Sequence, residues 1–167
     1  MKKTIIALLT FCISACFAGE ANLIVDPTGA NKFKNWFNPP TAKITSADGI
    51  ITITDNPDPK FNGYQKASQS LKLKAEEIQG KKFELSFKYR TAKLNGSLQV
   101  AVREAFGKTS FYHGPVLKKW DVSPDWKEMK CTFTPRKEAF NLTVYIVGSY
   151  MKPGEKVEIK DLKVVAL

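Results

Sequence analysis

The residues that could support catalysis are few and form no recognisable catalytic motif. His113 is the only histidine, and no HxxxH pair or cysteine partner stands at a spacing that holds a metal ion. The chain contains no GxSxG nucleophile motif, no phosphate-binding loop and no CxxC pair. Two carboxylates that hydrolyse a glycoside are defined by their distance in space, so sequence spacing cannot exclude them. Glu104 is the acid to examine, and the simpler interpretation is that it is a surface residue in an ion pair. The residue types therefore favour binding over catalysis.

A polar surface suited to binding is predicted between residues 81 and 105. Apolar and polar side chains alternate over 83–90 and again over 98–103, the pattern of strands with one buried face. Asn95-Gly96 between them is the dipeptide best suited to a tight hairpin turn. The two strands are therefore expected to pair at the centre of one sheet. Its outer face would carry Lys88, Arg90, Gln99 and Arg103.

Two further residues are expected on this outer face. Tyr145 joins it if Val144 and Ile146 point inward, and Gln69 joins it if Leu71 faces the core, unless a bulge reverses that order. An ordinary solvated sheet face and a binding face are both compatible with these residue types.

Three aromatic residues in or beside loops are additional candidates for binding. Tyr64, Tyr112 and Trp120 lie close to Gly and Pro residues in long connections, where binding residues concentrate. Trp126, at the start of a strand, and Trp36 are interpreted as structural.

The pattern of short strands predicts an all-β fold. Turn signals separate eight to ten strands, near residues 22–25, 42–45, 50–54, 64–73, 83–90, 98–103, 110–113, 126–134, 139–148 and 156–167. Asp48-Gly49 predicts a hairpin, and 74–79 predicts one helical turn. This organisation is typical of an antiparallel β-sandwich, and a jelly roll is the expected version.

The N-terminus has the features of a secretory signal peptide. Lys2 and Lys3 precede the apolar run 5–13, which is shorter than the ~20 apolar residues that span a bilayer. Cleavage after Ala18 would leave residues 19–167 as a single domain. Alternatively, the sequence Ile-Ser-Ala-Cys ending at Cys16 resembles a bacterial lipobox, in which this cysteine is lipidated. Both outcomes predict export, to a secreted, periplasmic or lipid-anchored location.

Charge and cysteine content add two expectations. The formal charge is +10, and losing both leader lysines lowers it to +8, with the remaining lysines spread over almost every strand. Solubility and protection of sheet edges explain this charge simply. The alternative is attraction to an anionic partner such as an acidic polysaccharide or a phospholipid surface, and the absence of a run of five basic residues argues against nucleic acid. Cys131 is the only cysteine outside the leader and is expected to be a buried, inert thiol.

Several motifs occur in a characteristic order along residues 22–167. They are Asn22-Leu23-Ile24, Trp36, the alternating segment 83–90, Trp126 with 131–134, and the closing segment 159–164. In this order and spacing they resemble the CenC-type carbohydrate-binding modules, the group that holds families four, nine and twenty-two. The resemblance implies a jelly-roll sandwich that binds glycans without catalysis. The ligand would lie across the concave outer face of one sheet or at loops along its rim.

Sugar chemistry assigns roles to the candidate residues. The C–H faces of a pyranose ring stack on flat aromatic rings, and its hydroxyls bond to amide and guanidinium groups. The alternative is a structural or protein-interaction domain at the bacterial cell envelope, with no glycan ligand. A continuous cleft flanked by an exposed aromatic residue would favour the first function. A flat, lysine-covered face with all three tryptophans buried would favour the second.

The resemblance also implies a test for calcium. These modules commonly hold a structural calcium between a Glu after the first strand and an acidic residue in the last strand. Asp161 matches the acidic residue, whereas the segment 26–34 has a lysine where the Glu would fall. Calcium takes six or more oxygen ligands, and an ammonium group weakens such a site. No bound metal is expected.

Overall fold

The computed structural model describes residues 21–31, 33–37, 42–56, 58, 60 and 64–167. The leader 1–18 and Cys16 lie outside these residues. Within them, no helix has the length and apolar character needed to cross a lipid bilayer. The strands are β1 Ile44–Ala47, β2 Ile50–Thr54, β3 Gln65–Leu71, β4 Phe83–Thr91, β5 Ser97–Phe106, β6 Thr109–His113, β7 Val116–Leu117, β8 Ser123–Phe133, β9 Asn141–Ser149 and β10 Lys156–Ala166. One helical turn, α1, spans Ala75–Ile78, and a 3₁₀ turn spans Lys119–Asp121.

The strands form two antiparallel sheets packed face to face. Sheet I has the order β1-β2-β10-β4-β8, and sheet II has the order β3-β9-β5-β6, with β7 also paired to β5. All the pairings are antiparallel. Asp48 and Gly49 both have positive φ angles and connect β1 to β2 as the predicted hairpin. The all-β, jelly-roll sandwich expected from the sequence is confirmed.

The hydrophobic core lies between the sheets and follows the alternation in the sequence. Phe83, Leu85 and Phe87 of β4 are at most 1% exposed, and Leu142 and Ile146 of β9 face them with no exposed surface. Full burial of each such side chain stabilises the fold by ~1.5–3 kcal/mol. The opposite side of every strand is consequently left for solvent or a ligand.

The predicted pairing of β4 with β5 is wrong. The two strands lie in opposite sheets, and residues 92–96 carry the chain from one sheet to the other. Neither Asn95 nor Gly96 has the positive φ angle that a tight hairpin turn requires. Glycine is needed at 96 for a different reason, because a Cβ atom there would lie 2.5–2.7 Å from backbone atoms of Ser149, Tyr150 and Met151.

A buried carboxylate holds this crossing in place. Glu155 is 1% exposed, and its Oε1 accepts hydrogen bonds from the backbone N–H of Asn95 at 2.7 Å and from the Asn95 side chain at 2.6 Å. Its Oε2 accepts from the N–H of Gly96 at 3.3 Å. Burial alone would raise the pKa of Glu155, but hydrogen bonds from Lys152, Asn95 and Gly96 outweigh it, so that its pKa is lowered.

The N-terminal segment is attached by a side chain and not by a strand. The short strand expected at 22–25 is wrong. The Asn22 amide donates to the carbonyl of Leu162 at 3.0 Å and accepts from the N–H of Val164 at 3.1 Å. Leu23 donates to the carbonyl of Val164 at 2.8 Å. Asn22 therefore completes β10 beside the point where its register with β4 shifts.

The free thiol is more accessible than the sequence suggested. Cys131, expected to be buried, is half-buried on β8, which is an edge strand of sheet I. Partial burial raises the pKa of the Cys131 thiol, which reduces the fraction present as reactive thiolate.

Replacing Glu155 tests the crossing. Glu155→Gln is expected to lower the free energy of unfolding by ~1–3 kcal/mol at neutral pH, because an amide cannot accept at both of its ends. The pKa of Glu155 is lowered in the folded state, so the carboxylate stabilises the protein above its ordinary pKa of 4.5. This contribution is lost as the pH falls through the folded value.

Urea denaturation of wild type and variant, at neutral pH and at about pH 3, measures this effect. The stability difference should shrink at the lower pH. Glu138→Gln, at an exposed loop position, is the matched control and should be neutral at both values. A pH-independent difference for Glu155→Gln would contradict the assignment.

Candidate functional site

Three tyrosines from separate parts of the chain meet on the outer face of sheet II. Tyr145 points outward from β9, and its ring lies 5.8 Å from that of Tyr112 on β6, at an interplanar angle of 71°. Tyr64 comes directly before β3. Burial raises the pKa of Tyr64, and its proximity to the other two tyrosines raises it further. We call these residues the tyrosine cluster.

Strand register explains how the cluster forms. Tyr145 is directly opposite Ala101 of β5, and Tyr112 is directly opposite Arg103 of the same strand. Ala101 points outward but has no exposed surface. The rings of Tyr112 and Tyr145, which come from the strands on either side of β5, therefore meet above this small residue.

Polar groups beside the tyrosine cluster have no partner in the described part of the protein. The side chains of Arg103 and Gln99 point outward from β5 and make neither a hydrogen bond nor an ion pair with other described residues. The ammonium group of Lys66 lies 5.1 Å from the Tyr145 ring and 5.5 Å from the ring of Phe37, which is 63% exposed. Guanidinium, amide and ammonium donors are thus available to a ligand.

The outer face of sheet I carries a different arrangement, in which the cations are paired. Lys88 lies 3.0 Å from Asp161, and a hydrogen bond to Asp161 raises the pKa of Lys88. Arg90 forms an ion pair with Glu158 and lies over the ring of Trp126 at 4.7 Å. Because β4 and β5 belong to opposite sheets, the expectation of one face carrying Lys88, Arg90, Gln99 and Arg103 is wrong.

Gln69 does not lie on an outer face. It shares the inward direction of Leu71, is 3% exposed, and accepts a hydrogen bond from the N–H of Val25 at 2.9 Å. Its amide donates to the carbonyl of Asn35 at 3.1 Å. Residues i and i+2 of a strand face the same way, so the core position of Leu71 places Gln69 inside. It anchors the N-terminal segment to β3.

Trp120 is exposed but separate from the tyrosine cluster. It lies in the 3₁₀ turn after β7 and is 68% exposed. With Tyr150, Ser97 and two lysines it lines a hollow of about 370 Å³. The hydroxyl of Tyr89 donates to the carbonyl of Asp121 at 2.9 Å and fixes the turn from inside the core.

Glu104 is buried and not a surface residue as expected. It has no exposed surface, because it continues the inward side of β5. Its Oε2 lies 2.8 Å from Nε2 of His113, and its Oε1 lies 3.3 Å from Nε of Arg136. His113 stacks on Phe133 with a centroid distance of 4.6 Å. Glu104 thus ties β5, β6 and the loop before β9 together.

The described residues do not fit the calcium site that the resemblance implied. No three His, Cys, Asp or Glu side chains cluster in the part of the chain that the structure describes. The Asp161 carboxylate is paired with an ammonium group, and its side chain is 57% exposed. Calcium requires several hard oxygen ligands around one point.

Five of the nine predicted binding residues therefore lie in or beside the tyrosine cluster. They are Tyr64, Gln99, Arg103, Tyr112 and Tyr145. The sequence analysis missed Phe37 and Lys66. The outward position of Lys66 could have been predicted from strand alternation, because Lys66 lies between the inward-facing Gln65 and Ala67.

The comparisons with known proteins bear on the fold. Neither a protein-family model nor a curated protein sequence matches this chain. A solved structure of a family 16 carbohydrate-binding module-2 superposes with a TM-score of 0.62 at 15% identity, covering 86% of this chain and 99% of that one.

Two other solved structures give the same result. A family 4 carbohydrate-binding module has a TM-score of 0.56 at 17% identity, covering 86% of this chain and 99% of its own. The third is the C-terminal family 22 carbohydrate-binding module of Clostridium thermocellum Xyn10B, in which amino acids of a cleft have a role in ligand binding. It has a TM-score of 0.54 at 11% identity, and the superposition covers 84% of this chain and 91% of that one. The chain therefore has the fold of these modules.

Two glutamine substitutions distinguish a buried structural side chain from one on the open face. Gln69→Ala is expected to lower the free energy of unfolding by ~1–3 kcal/mol, because the N–H of Val25 and the carbonyl of Asn35 lose their partner. Gln99→Ala, on the open face, should change it by less than ~0.5 kcal/mol. Urea denaturation measures both values, and equal effects would contradict the placement of the two side chains.

Proposed function

We propose that this protein is a non-catalytic module that binds a polysaccharide or oligosaccharide on the outer face of sheet II. The observation that carries the proposal is the tyrosine cluster beside Arg103 and Gln99, neither of which has a partner among the described residues. Aromatic rings pack against the C–H faces of sugar rings, and planar donors bond to their hydroxyl or carboxylate groups.

Ligand binding is energetically more favourable on sheet II than on sheet I. Covering the half-exposed Tyr64 and Tyr112 would contribute ~25 cal/mol for each Å² of apolar surface removed from water. A ligand at Arg103 displaces only water from the guanidinium group. At Arg90, by contrast, a ligand would have to compete with Glu158 for the same donors.

The fold supports this proposal by analogy. The similar structures are carbohydrate-binding modules, and in one of them a cleft has a role in ligand binding. Function belongs to a site and not to a fold, so the analogy only adds to the argument from the residues.

A non-catalytic role agrees with the placement of the acids. Glycoside hydrolysis uses two carboxyl groups, ~5–10 Å apart, on either side of the scissile bond. None of Tyr64, Gln99, Arg103, Tyr112 and Tyr145 is acidic, and the nearby Glu104 is turned into the core, where it bonds to His113.

The protein-interaction alternative has less support. It predicted that all three tryptophans would be buried, whereas Trp120 is 68% exposed. The leader supports a role outside the cytoplasm. There the domain 19–167 would be secreted, periplasmic or held to the envelope through a lipid on Cys16.

Affinity electrophoresis in gels containing polygalacturonate, xylan or hydroxyethylcellulose tests the proposal. We expect at least one polysaccharide to retard the protein. Tyr145→Ala and Arg103→Ala should each weaken this binding about tenfold or more, corresponding to ~1.4 kcal/mol. Arg90→Ala, the matched control on sheet I, should bind like wild type.

Two results would count against the proposal. Retardation that persists in both sheet II variants would contradict the location of the site. No retardation by any polysaccharide would favour the protein-interaction alternative. Thermal melts of each variant distinguish loss of binding from loss of folding.

A further inference from the structure

The outer side of β5 continues beyond the tyrosine cluster to the hollow that contains Trp120. Arg103, Ala101, Gln99 and Ser97 all point outward, because Leu98 and the other residues between them are fully buried. Ser97 lines the same hollow as Trp120 and Tyr150. The open side of one strand thus connects two groups of exposed aromatic residues.

Neighbouring strands place an aromatic residue on each side of β5 at both ends of this path. At one end, Tyr145 of β9 and Tyr112 of β6 lie on either side of it. At the other end, Tyr150 follows Ser149, which is directly opposite Ser97, and Trp120 follows β7, which pairs with β5 on its other side.

We call this path the trough. Its exposed floor is formed by Ser97, Gln99 and Arg103, and between Gln99 and Arg103 the buried Ala101 lies beneath the contacting rings of Tyr112 and Tyr145. Its walls at the two ends are the pairs Tyr112–Tyr145 and Trp120–Tyr150. Between the pairs, Val116 and Val147 lie opposite Gln99 on the two neighbouring strands.

The Trp120–Tyr150 pair is held in position by the core. Tyr150 is 61% exposed and has a φ angle of +55°, which a bulky residue adopts only when its surroundings require it. Gly96 packs directly against its backbone. The Tyr89 hydroxyl fixes the turn of Trp120. The backbone that carries both rings is therefore fixed before any ligand arrives, which reduces the entropic cost of binding.

The length of the trough indicates the size of its ligand. Ser97 and Arg103 are six residues apart, or ~20 Å at a strand rise of ~3.3 Å per residue. A single sugar at the tyrosine cluster cannot reach Trp120. Only a chain that runs parallel to β5 would contact both aromatic pairs.

The charge of the trough indicates the chemistry of that chain. Lys66 and Arg103 lie at the tyrosine cluster, and Lys118 and Lys119 line the hollow. None of the residues that define the floor or the walls is acidic. Glu104, next to Arg103 in sequence, points into the core, and the carboxylate of Asp121, next to Trp120, accepts a hydrogen bond from the backbone N–H of Lys118 at 2.8 Å. Positive side chains spaced along a groove attract a polyanion.

We infer that the trough binds an anionic polysaccharide chain parallel to β5, with the Trp120–Tyr150 pair as a second subsite. This inference rests on the proposed function and adds to it the length, the direction and the charge of the ligand. The tyrosine cluster holds one part of the chain, and the hollow holds a part several sugars away.

Calorimetry with galacturonate oligomers tests the inference. We expect a decamer to bind at least about tenfold more tightly than a trimer, which is too short to touch both pairs. Trp120→Ala should remove this advantage by weakening binding of the decamer alone, whereas Tyr145→Ala should weaken binding of both. Trp126→Ala, a tryptophan truncated on sheet I, is the matched control and should leave the decamer affinity unchanged. Raising the salt concentration from about 50 to about 300 mM should weaken decamer binding.

The outcomes separate this inference from the proposed function. A decamer affinity that Trp120→Ala leaves unchanged, or a trimer that binds as tightly as the decamer, would overturn the second subsite. The proposed function would stand in that case if Tyr145→Ala still weakened binding. Salt-independent binding of xylan in preference to polygalacturonate would overturn the anionic assignment. Wild-type protein that binds none of the three polysaccharides would overturn both proposals.

Discussion

The contact between the Glu155 carboxylate and the backbone at Asn95-Gly96 determines where sheet II lies relative to sheet I. The chain crosses between the sheets at this point, so the position of β5, and with it the floor of the trough, follows from it. The same glycine packs against the backbone of Tyr150. The buried Glu155 carboxylate and the close packing at Gly96 therefore connect the core to the candidate binding surface.

Alternation in the sequence predicted which way most side chains point, but it could not predict which strands pair. Tyr145 and Arg103 lie outward as expected, because a period of two depends only on the strand itself. Asn95-Gly96 favours a hairpin, but the acceptor that holds it in a sheet crossing lies 60 residues away. Gln69 follows the inward side of its strand, and its outward assignment was wrong because it shares the direction of Leu71. Glu104 also follows the inward side, whereas a surface ion pair was expected for it.

The two outer faces show why net charge alone does not locate a binding site. On sheet I, neighbouring strands provide a carboxylate for Lys88 and for Arg90, and the Trp126 ring is covered by Arg90 and Lys160. On sheet II, Arg103 has no such neighbour among the described residues. A formal charge of +10 is thus divided between cations that are neutralised locally and cations that are available to a ligand.

The edge position of β8 has a consequence for aggregation. This strand of 11 residues has exposed backbone groups on one side, with which a strand from another molecule could pair. Lys127, Glu128 and Lys130 are exposed along it, so an approaching strand would have to remove these charges from water. The path of β6 and β7 along the other side of β5 is interrupted at Gly114 and Pro115, and proline has no N–H to donate. Charged side chains and a broken strand thus protect the sandwich against the growth of intermolecular β-structure.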